Sequence, residues 1–519
     1  MKALMQEQTN SNTIAKNTIF LYFRMMVTMI VSLYTSRVIL QILGVDDYGI
    51  YKAVGGVVGF LGFLNSALAT GASRFITYGL GEGNMEKLKN IFSTTLTAHV
   101  VLAVIIILVA ETMGLWFLQN KMVIAADRMD AAVFTFHLSI ITIFFTLTQV
   151  PFNACIIAHE RMTVFAYVSI VDAFAKLLIV YLLPIGGFDR LKFYALLLCL
   201  LQIGILSFYR IYSRTRFEEV RLRLYVDKNI FKEIASFSGW SLIAGLSRAL
   251  NNQGVLVLLN MFFAPSVVAA RAISLQVQMH ANQLVSNFQT AANPQIVKRY
   301  AAKDYDGSKK LLLQTTKFSY YLMLLLCVPI CLTAKQLLRL WLGVVPEYTV
   351  VFLQIIIVQS LFMVFDTSFY RALYAKGQLR ENALLSPVLG LIQFPTVYIL
   401  FKYGYSPVAL SWASLIHYII GGLVIKPILI IKIVDYTWRD VVSVLSPCLK
   451  VTLAALPVPL LVYYWCKTMN GIMLPFFMIV GFSVCSVTIC SWFLGMSIQQ
   501  RKKVTVVIGS KILNHKLSE

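Results

Sequence analysis

Cationic and amide side chains recur at helical spacing inside the most apolar stretches of this 519-residue sequence. Because a charge inside a bilayer is costly, each of them is a candidate functional residue. Lysine and arginine match phosphate oxygens, whereas amides and hydroxyls match sugar hydroxyls. The pattern therefore predicts a hydrated cavity that binds an anionic, polyhydroxylated molecule. The predicted binding residues are Arg24, Lys52, Arg248, Asn252, Arg271, Gln278 and Asn282.

Three further charges inside apolar stretches are predicted to serve in gating or ion coupling. Asp172 and Lys176 are four residues apart, so a helix places them on one face, either as a self-neutralising pair or as part of a gate. Asp366 is an isolated acid near the middle of its stretch; ion coupling and pairing with a cavity arginine are equally open for it. A cavity for organic cations would need more acids, so the pattern favours a phosphate-linked sugar.

Membrane-spanning helices must position these residues. The chain is 58% hydrophobic and 13% charged, whereas an average soluble domain has about 25% charged residues. About fourteen runs are long and apolar enough to span a bilayer as helices, and an open sheet cannot do so. The sequence therefore predicts an all-α polytopic membrane protein. The runs are approximately 17–43, 48–78, 91–118, 131–158, 163–184, 193–213, 230–262, 265–296, 310–333, 350–374, 383–401, 406–431, 449–467 and 472–495.

The sequence contains what we interpret as an internal duplication. Residues 44–95 and 264–315 share a turn, a long helix with a polar stripe, a basic loop and the start of the next apolar helix. Aligned without gaps, Ser66 faces Ser286. Duplications of this kind are typical of transporters. The polar stripes on the first two helices of each half are expected to form the wall of one cavity between two lobes.

Loop charges predict the orientation and the domain organisation. Loops on one side hold roughly 26 Lys and Arg and those on the other roughly 8, which predicts that both termini are cytoplasmic. We attribute the net charge of +22 to these basic loops, which would be attracted to anionic lipid headgroups, and not to nucleic-acid binding. The predicted domains are an N-terminal lobe (1–213), a basic cytoplasmic connector (214–229), a C-terminal lobe (230–431), and two extra helices with a basic tail (432–519).

The sequence favours neither an enzyme nor a metal site. The outer loops hold no Ser–His–Asp, Cys–His or paired-carboxylate set, no GxxxxGK[ST] motif is present, and the histidines lack metal-ligand spacing. We expect no enzyme activity, metal or cofactor. The driving force stays open between the membrane potential and a gradient of H+ or Na+.

A predicted helix contains four closely spaced glycines, Gly55, Gly56, Gly59 and Gly62. They indicate close helix packing.

The chain resembles the polysaccharide flippases of the multidrug/oligosaccharidyl-lipid/polysaccharide exporter superfamily. The resemblance lies in the opening stretch NTIFLYFRMMVTMIVSLYTSRVILQILGVDDYGIYKAVGG, in the turn ASRFITYGLGEGN and in the layout of the runs; GVDDYGIY is its most specific piece. It implies two six-helix lobes in a V shape plus two C-terminal helices, in the bacterial inner membrane. It also implies translocation of undecaprenyl-diphosphate-linked oligosaccharide for O-antigen (lipopolysaccharide), capsule or exopolysaccharide biosynthesis. Whether a polysaccharide polymerase is a partner stays open.

The resemblance also assigns roles to single residues. In relatives that flip lipid-linked cell-wall precursors, cavity arginines on helices 1, 2 and 8 contact the diphosphate. Arg24, Lys52 and Arg271 occupy comparable places, which implies that they bind the diphosphate here. Lys52 departs from arginine, so the bidentate contact of a guanidinium is not expected at that position. The alternative function is cation-coupled multidrug export by the same fold.

Overall fold

The computed structural model describes residues 25–502 apart from 62–71, 73, 74, 81, 160, 186, 221–224, 233–245, 247, 248, 379 and 470. Every regular element in that part of the chain is helical, which confirms the predicted all-α polytopic membrane fold. Nine helices among the described residues are long and apolar enough to cross a membrane. Each predicted run contains described helix.

The first of two compact units comprises Met1–Ala272, Trp341–Glu347 and Gly390–Tyr403. Helix α4 lies at its centre and packs against α2, α3 and α6. Its core includes Phe92 and Phe152, whose rings meet edge to face at 5.4 Å. The helices of this unit are α1 (Met25–Leu43), α2 (Val45–Leu61), α3 (Met85–Lys121), α4 (Ala126–Ala158), α5 (Met162–Leu182), α6 (Arg190–Arg216) and α7 (250–262).

The second unit comprises Ile273–Leu340, Tyr348–Leu389 and Gly404–Glu519. Helix α10 is its most deeply buried candidate span and packs along α12. The helices that supply this unit, in whole or in part, are α8 (Pro265–Ala301), α9 (Tyr305–Leu342), α10 (Thr349–Lys376), α11 (Arg380–Lys402), α12 (Ala409–Val434), α13 (Trp438–Cys466) and α14 (Met473–Gly495).

Local sequence signals explain several helix features. Pro151 and Pro329 lie inside α4 and α9 rather than at their ends, as predicted, because neighbouring groups in a membrane protein can satisfy the freed carbonyls. Helix α13 begins with a capping box in which Thr437 and Asp440 satisfy each other's backbone N–H. It therefore begins eleven residues before the predicted run at 449.

Glycines let α2 approach the segments beside it. A Cβ atom on Gly49 would lie 2.0 Å from the carbonyl oxygen of Pro265, so only glycine fits that contact. A Cβ on Gly56 would lie 3.3 Å from Val257, whereas one on Gly55 would meet nothing within 4 Å. The predicted role in close helix packing therefore holds for Gly56 and not for Gly55.

The described part of the predicted connector is bound to the first unit. Glu219 is 1% exposed, and its Oε1 lies 2.7 Å from Nε2 of His159 on the end of α4. The hydroxyl of Thr97 on α3 accepts a hydrogen bond from the backbone N–H of Tyr225 and donates one to its carbonyl, at 3.1 and 3.2 Å. These contacts hold the connector against α3 and α4. The domain boundaries predicted around it stay predictions.

Candidate functional site

The structure describes four of the predicted binding residues with their side chains: Lys52, Arg271, Gln278 and Asn282. Only the backbone of Asn252 is described, in the π-helical segment Leu250–Gly254. Four positions singled out in the sequence lie outside the described residues: Arg24, Gly62, Ser66 and Arg248.

Lys52 lies in a cluster of tyrosines. Its Nζ atom is 5.2 Å from the ring centroid of Tyr48 and 5.7 Å from that of Tyr51, both on α2. The ring of Tyr51 in turn meets that of Tyr194 on α6 edge to face, at 5.0 Å. Aromatic ring faces attract an ammonium group, so the tyrosines hold this cation within the first unit. Its role as a phosphate ligand stays a prediction.

Arg271 on α8 is enclosed by protein. The residue is only 3% exposed. It lies six residues after Pro265 of α8, which makes the close contact with Gly49 of α2. Desolvation of a guanidinium group is costly unless polar or charged partners compensate it. The position therefore faces the protein interior rather than lipid.

The polar stripe of α8 contacts α10 within the second unit. The side-chain amide of Gln278 donates to the hydroxyl of Ser360 at 3.1 Å. One turn further along, the amide of Asn282 donates to the sulfur of Met363 at 3.5 Å. Gln278 is 7% exposed, so its amide stabilises the contact between two helices. Whether either residue also contacts a transported molecule stays a prediction.

Asp172 and Lys176 form the ion pair that their spacing predicts. Lys176 Nζ lies 2.6 Å from Asp172 Oδ2, and Gln202 on α6 donates to Asp172 Oδ1 at 3.3 Å. The amide joins α5 to α6 through the carboxylate. A charge pair with this extra hydrogen bond is locally neutral, and its part in a gate stays a prediction.

Asp366 on α10 pairs with a lysine that sequence reasoning missed. Lys426 Nζ on α12 lies 3.4 Å from Asp366 Oδ1. The same ammonium group donates a hydrogen bond to the amide oxygen of Asn382 and lies 5.6 Å from the ring centroid of Tyr370. The signal was available, because Lys426 is a charge inside the predicted run 406–431. The sequence leaves ion coupling and pairing with a cavity arginine equally open for Asp366 and does not point to Lys426.

A second missed cluster surrounds Arg128 at the start of α4. Its guanidinium donates to both carboxylate oxygens of Asp47 on α2, at 2.8 and 2.6 Å. It also donates to Asp189 at 2.5 Å. Asp189 caps α6 by accepting from the backbone N–H of Lys192. One arginine thus joins the N-terminal ends of three helices, and Asp47 belongs to the GVDDYGIY turn.

The two carboxylates of the Arg128 cluster titrate in opposite directions. Burial raises the pKa of Asp47 above its usual value, in spite of the hydrogen bond and charge of Arg128. Burial also acts on Asp189, but the hydrogen bonds from Arg128 and from the backbone N–H of Lys192 outweigh it and lower the pKa of that carboxyl. Asp189, which also accepts backbone hydrogen bonds, is therefore compensated for its burial more fully than Asp47.

Comparison with known proteins supports a membrane transporter rather than an enzyme. Residues 252–399 match the family model MatE. No curated protein matches the sequence. The match covers less than a third of the chain, and the structural neighbours below are similar to the chain in fold.

Solved structures share the fold, among them the following three. The lipid II flippase MurJ, in an inward closed conformation, has a TM-score of 0.69 at 12% identity and covers 91% of this chain and 98% of its own. A multidrug resistance MATE family transporter in an inward-facing conformation has a TM-score of 0.65 at 16% identity and covers 80% and 99%. A transporter of the same superfamily from Pyrococcus furiosus has a TM-score of 0.56 at 17% identity and covers 81% and 96%.

Proposed function

We propose that this chain is a flippase for undecaprenyl-diphosphate-linked oligosaccharide in the bacterial inner membrane, serving surface polysaccharide biosynthesis. The main support for the proposal is the share of the chain that each solved structure covers. The lipid II flippase aligns with 91% of the chain, whereas the multidrug transporter aligns with 80%. The last two helices, α13 and α14, hold 29 and 23 residues. Their sum is close to the number of residues by which the two coverages of the chain differ. The proposal gives the chain the same cargo class as the neighbour that covers more of it.

The pairing of acids inside the helices supports an anionic cargo. Asp366 is paired with Lys426 and Asp172 with Lys176. Glu111 on α3 lies 3.1 Å from His137 on α4. A transporter of organic cations needs acids that can face its cargo, and these three are engaged with basic side chains of the protein. The predicted binding cations Arg24, Lys52, Arg248 and Arg271 then match the phosphates of a lipid diphosphate.

The proposed mechanism is alternating access. The sugar and diphosphate cross through the cavity while the lipid tail stays in the bilayer. Because the cytoplasm is electrically negative, outward movement of each anionic charge is favoured by about 2.3 kcal/mol per 100 mV; a gradient of H+ or Na+ is the other proposed source. The connector moves with the first unit, to which Glu219 and Tyr225 bind it. Cytoplasmic termini and a polymerase partner are further parts of the proposal.

Reconstitution tests the proposal. The chain is placed in liposomes with fluorescent undecaprenyl-diphosphate oligosaccharide, and flipping is followed by the loss of fluorescence to a quencher outside. We expect Arg24→Ala with Arg271→Ala to slow flipping at least about tenfold, since each lost charged hydrogen bond costs about 1.5–3 kcal/mol. Arg439→Ala, at an exposed arginine of α13, is the matched control. Flipping at the native rate in the double variant would contradict the cationic cavity.

The MatE match favours multidrug export as the second candidate. An efflux assay in liposomes with an organic cation and no lipid-linked sugar separates the two functions. Export of the cation together with absence of flipping would favour the second candidate.

A further inference from the structure

An ion pair lies deep among the helices of the second unit. At 1.5 Å per helical residue, Asp366 is about 15 Å from the end of α10 and Lys426 is about 12 Å from the end of α12. The side chain of Lys426 is 3% exposed and that of Asp366 is 30% exposed. A charge at such a place needs a counter-charge from the protein. The two side chains therefore have to be explained together.

The groups around the Lys426 ammonium are those that bind a small cation. One carboxylate oxygen comes from Asp366 on α10, at 3.4 Å, and one amide oxygen comes from Asn382 on α11. The ring of Tyr370 presents its face at 5.6 Å. His417 on α12 also interacts electrostatically with Asp366. Oxygen atoms from two helices thus converge on one positive charge, as they do on a bound alkali ion.

The backbone of α12 positions Lys426 beside α10. Lys426 follows directly on a π-helical segment, Gly421–Ile425. An extra residue in one turn changes which face the following residues present, and such segments recur at functional sites. A Cβ atom on Gly422 would lie 2.6 Å from the carbonyl oxygen of Phe362 on α10. The glycine therefore brings the two helices together one turn before the ion pair.

We propose that Asp366 and Asn382 form a monovalent-cation site whose permanent occupant is the ammonium group of Lys426. An ammonium ion and a sodium ion both take carboxylate and carbonyl oxygens as partners. Here the cation is part of the chain, so it cannot be released on the other side of the membrane. Asp366 then does not couple transport to a sodium gradient, and removal of the lysine opens the site to the ion.

This inference does not depend on the identity of the cargo. Its readout is ion binding by the purified chain, so a protein that flips no lipid still tests it. Conversely, a flippase that bound sodium at Asp366 would keep the proposed function and lose this inference.

The test compares the full chain in detergent in sodium chloride and in choline chloride at equal ionic strength. We expect the native melting temperature to be the same in both salts. Lys426→Ala should melt at least about 2 °C higher in sodium chloride and bind radioactive sodium saturably. Lys426→Ala with Asp366→Asn should lose both effects. Lys432→Ala, at an exposed lysine of the same helix, should behave as the native chain.

Two results would overturn the proposal. The first is a sodium-specific rise in melting temperature of the native chain that Asp366→Asn abolishes. The second is a Lys426→Ala protein with equal stability in the two salts. If this variant cannot be purified in choline chloride, recovery in sodium chloride supports the site, and equal failure in both salts counts against it.

Discussion

Each of the two units holds a cluster of charged side chains, one at the ends of helices and the other inside a helix bundle. In the first unit Arg128 is at the start of α4, with a quarter of its side chain exposed (25%), and binds two carboxylates. In the second unit Lys426 is 3% exposed and lies well inside α12. The first cluster joins helix ends, where water and free backbone N–H groups are at hand. The second lies well inside the helices, where the side chain of Lys426 is buried among protein groups and no helix end supplies free backbone N–H groups.

This difference determines how each cluster responds to the loss of one member. At helix ends, water can solvate a carboxylate that loses its arginine, so the effect is limited. Between packed helices, a lysine that loses its carboxylate keeps its charge in a medium that cannot solvate it. We therefore expect large effects at Asp366 and moderate effects at Arg128, although Arg128 makes more hydrogen bonds.

The largest expected effect is that of Asp366→Asn. It leaves the Lys426 ammonium with neutral partners, and breaking a buried pair costs about 3–5 kcal/mol. The measurement is the free energy of unfolding in mixed detergent micelles. Asp366→Asn with Lys426→Met removes both charges and should recover most of the loss. If the single variant is as stable as the native chain, the pair is not a buried one.

The next effect tests the close approach that positions Lys426. Gly422→Ala places a methyl group 2.6 Å from the Phe362 carbonyl oxygen, and overpacking of this kind costs about 1–3 kcal/mol. Gly421→Ala is the matched control, since its nearest neighbour would be Asp366 at 3.8 Å. We expect only the first to lower the melting temperature. Equal melting temperatures of the two variants would show that α10 and α12 can move apart without a loss of stability.

Sequence reasoning predicted features that depend on one segment and missed those that depend on two. The helical layout follows from long apolar runs, because a bilayer offers the backbone no water. The pair of Asp172 and Lys176 follows from a spacing of four residues within α5. Lys426 meets Asp366 only through the packing of α12 on α10 after a π-helical segment, and no local period encodes that. The sequence pattern alone assigns Lys426 to an apolar run.

The Arg128 cluster was missed for the same reason. Arg128 and Asp47 are 81 residues apart in sequence, and their loops meet only after α2 and α4 have packed. The acidic turn GVDDYGIY was noted for its resemblance to a family rather than for its charge. Arg128 enters the sequence argument only as one of the cations that predict orientation.

The third prediction concerns Arg128→Met, which leaves two partly buried carboxylates without their shared cation. We expect a loss of about 1–2 kcal/mol, less than at Asp366, because both carboxylates retain access to water. Arg128→Lys keeps the charge but cannot bind Asp47 through two nitrogens, and should lose about half as much. A loss for Arg128→Met that exceeds the loss for Asp366→Asn would reverse the comparison between the units.

The smallest effect distinguishes the two acids of that cluster by pH. The lowered pKa of Asp189 means that its carboxylate stabilises the fold above the unfolded value of about 3.9, and this contribution is lost as the pH falls through the folded pKa. The raised pKa of Asp47 has the opposite sign: its contribution declines as the pH rises from the unfolded value through the folded pKa. Melting temperatures between about pH 3 and 6 should therefore fall less on acidification in Asp189→Asn than in the native chain, and more in Asp47→Asn. Changes of the same sign in both variants would contradict the opposite pKa shifts of the two acids.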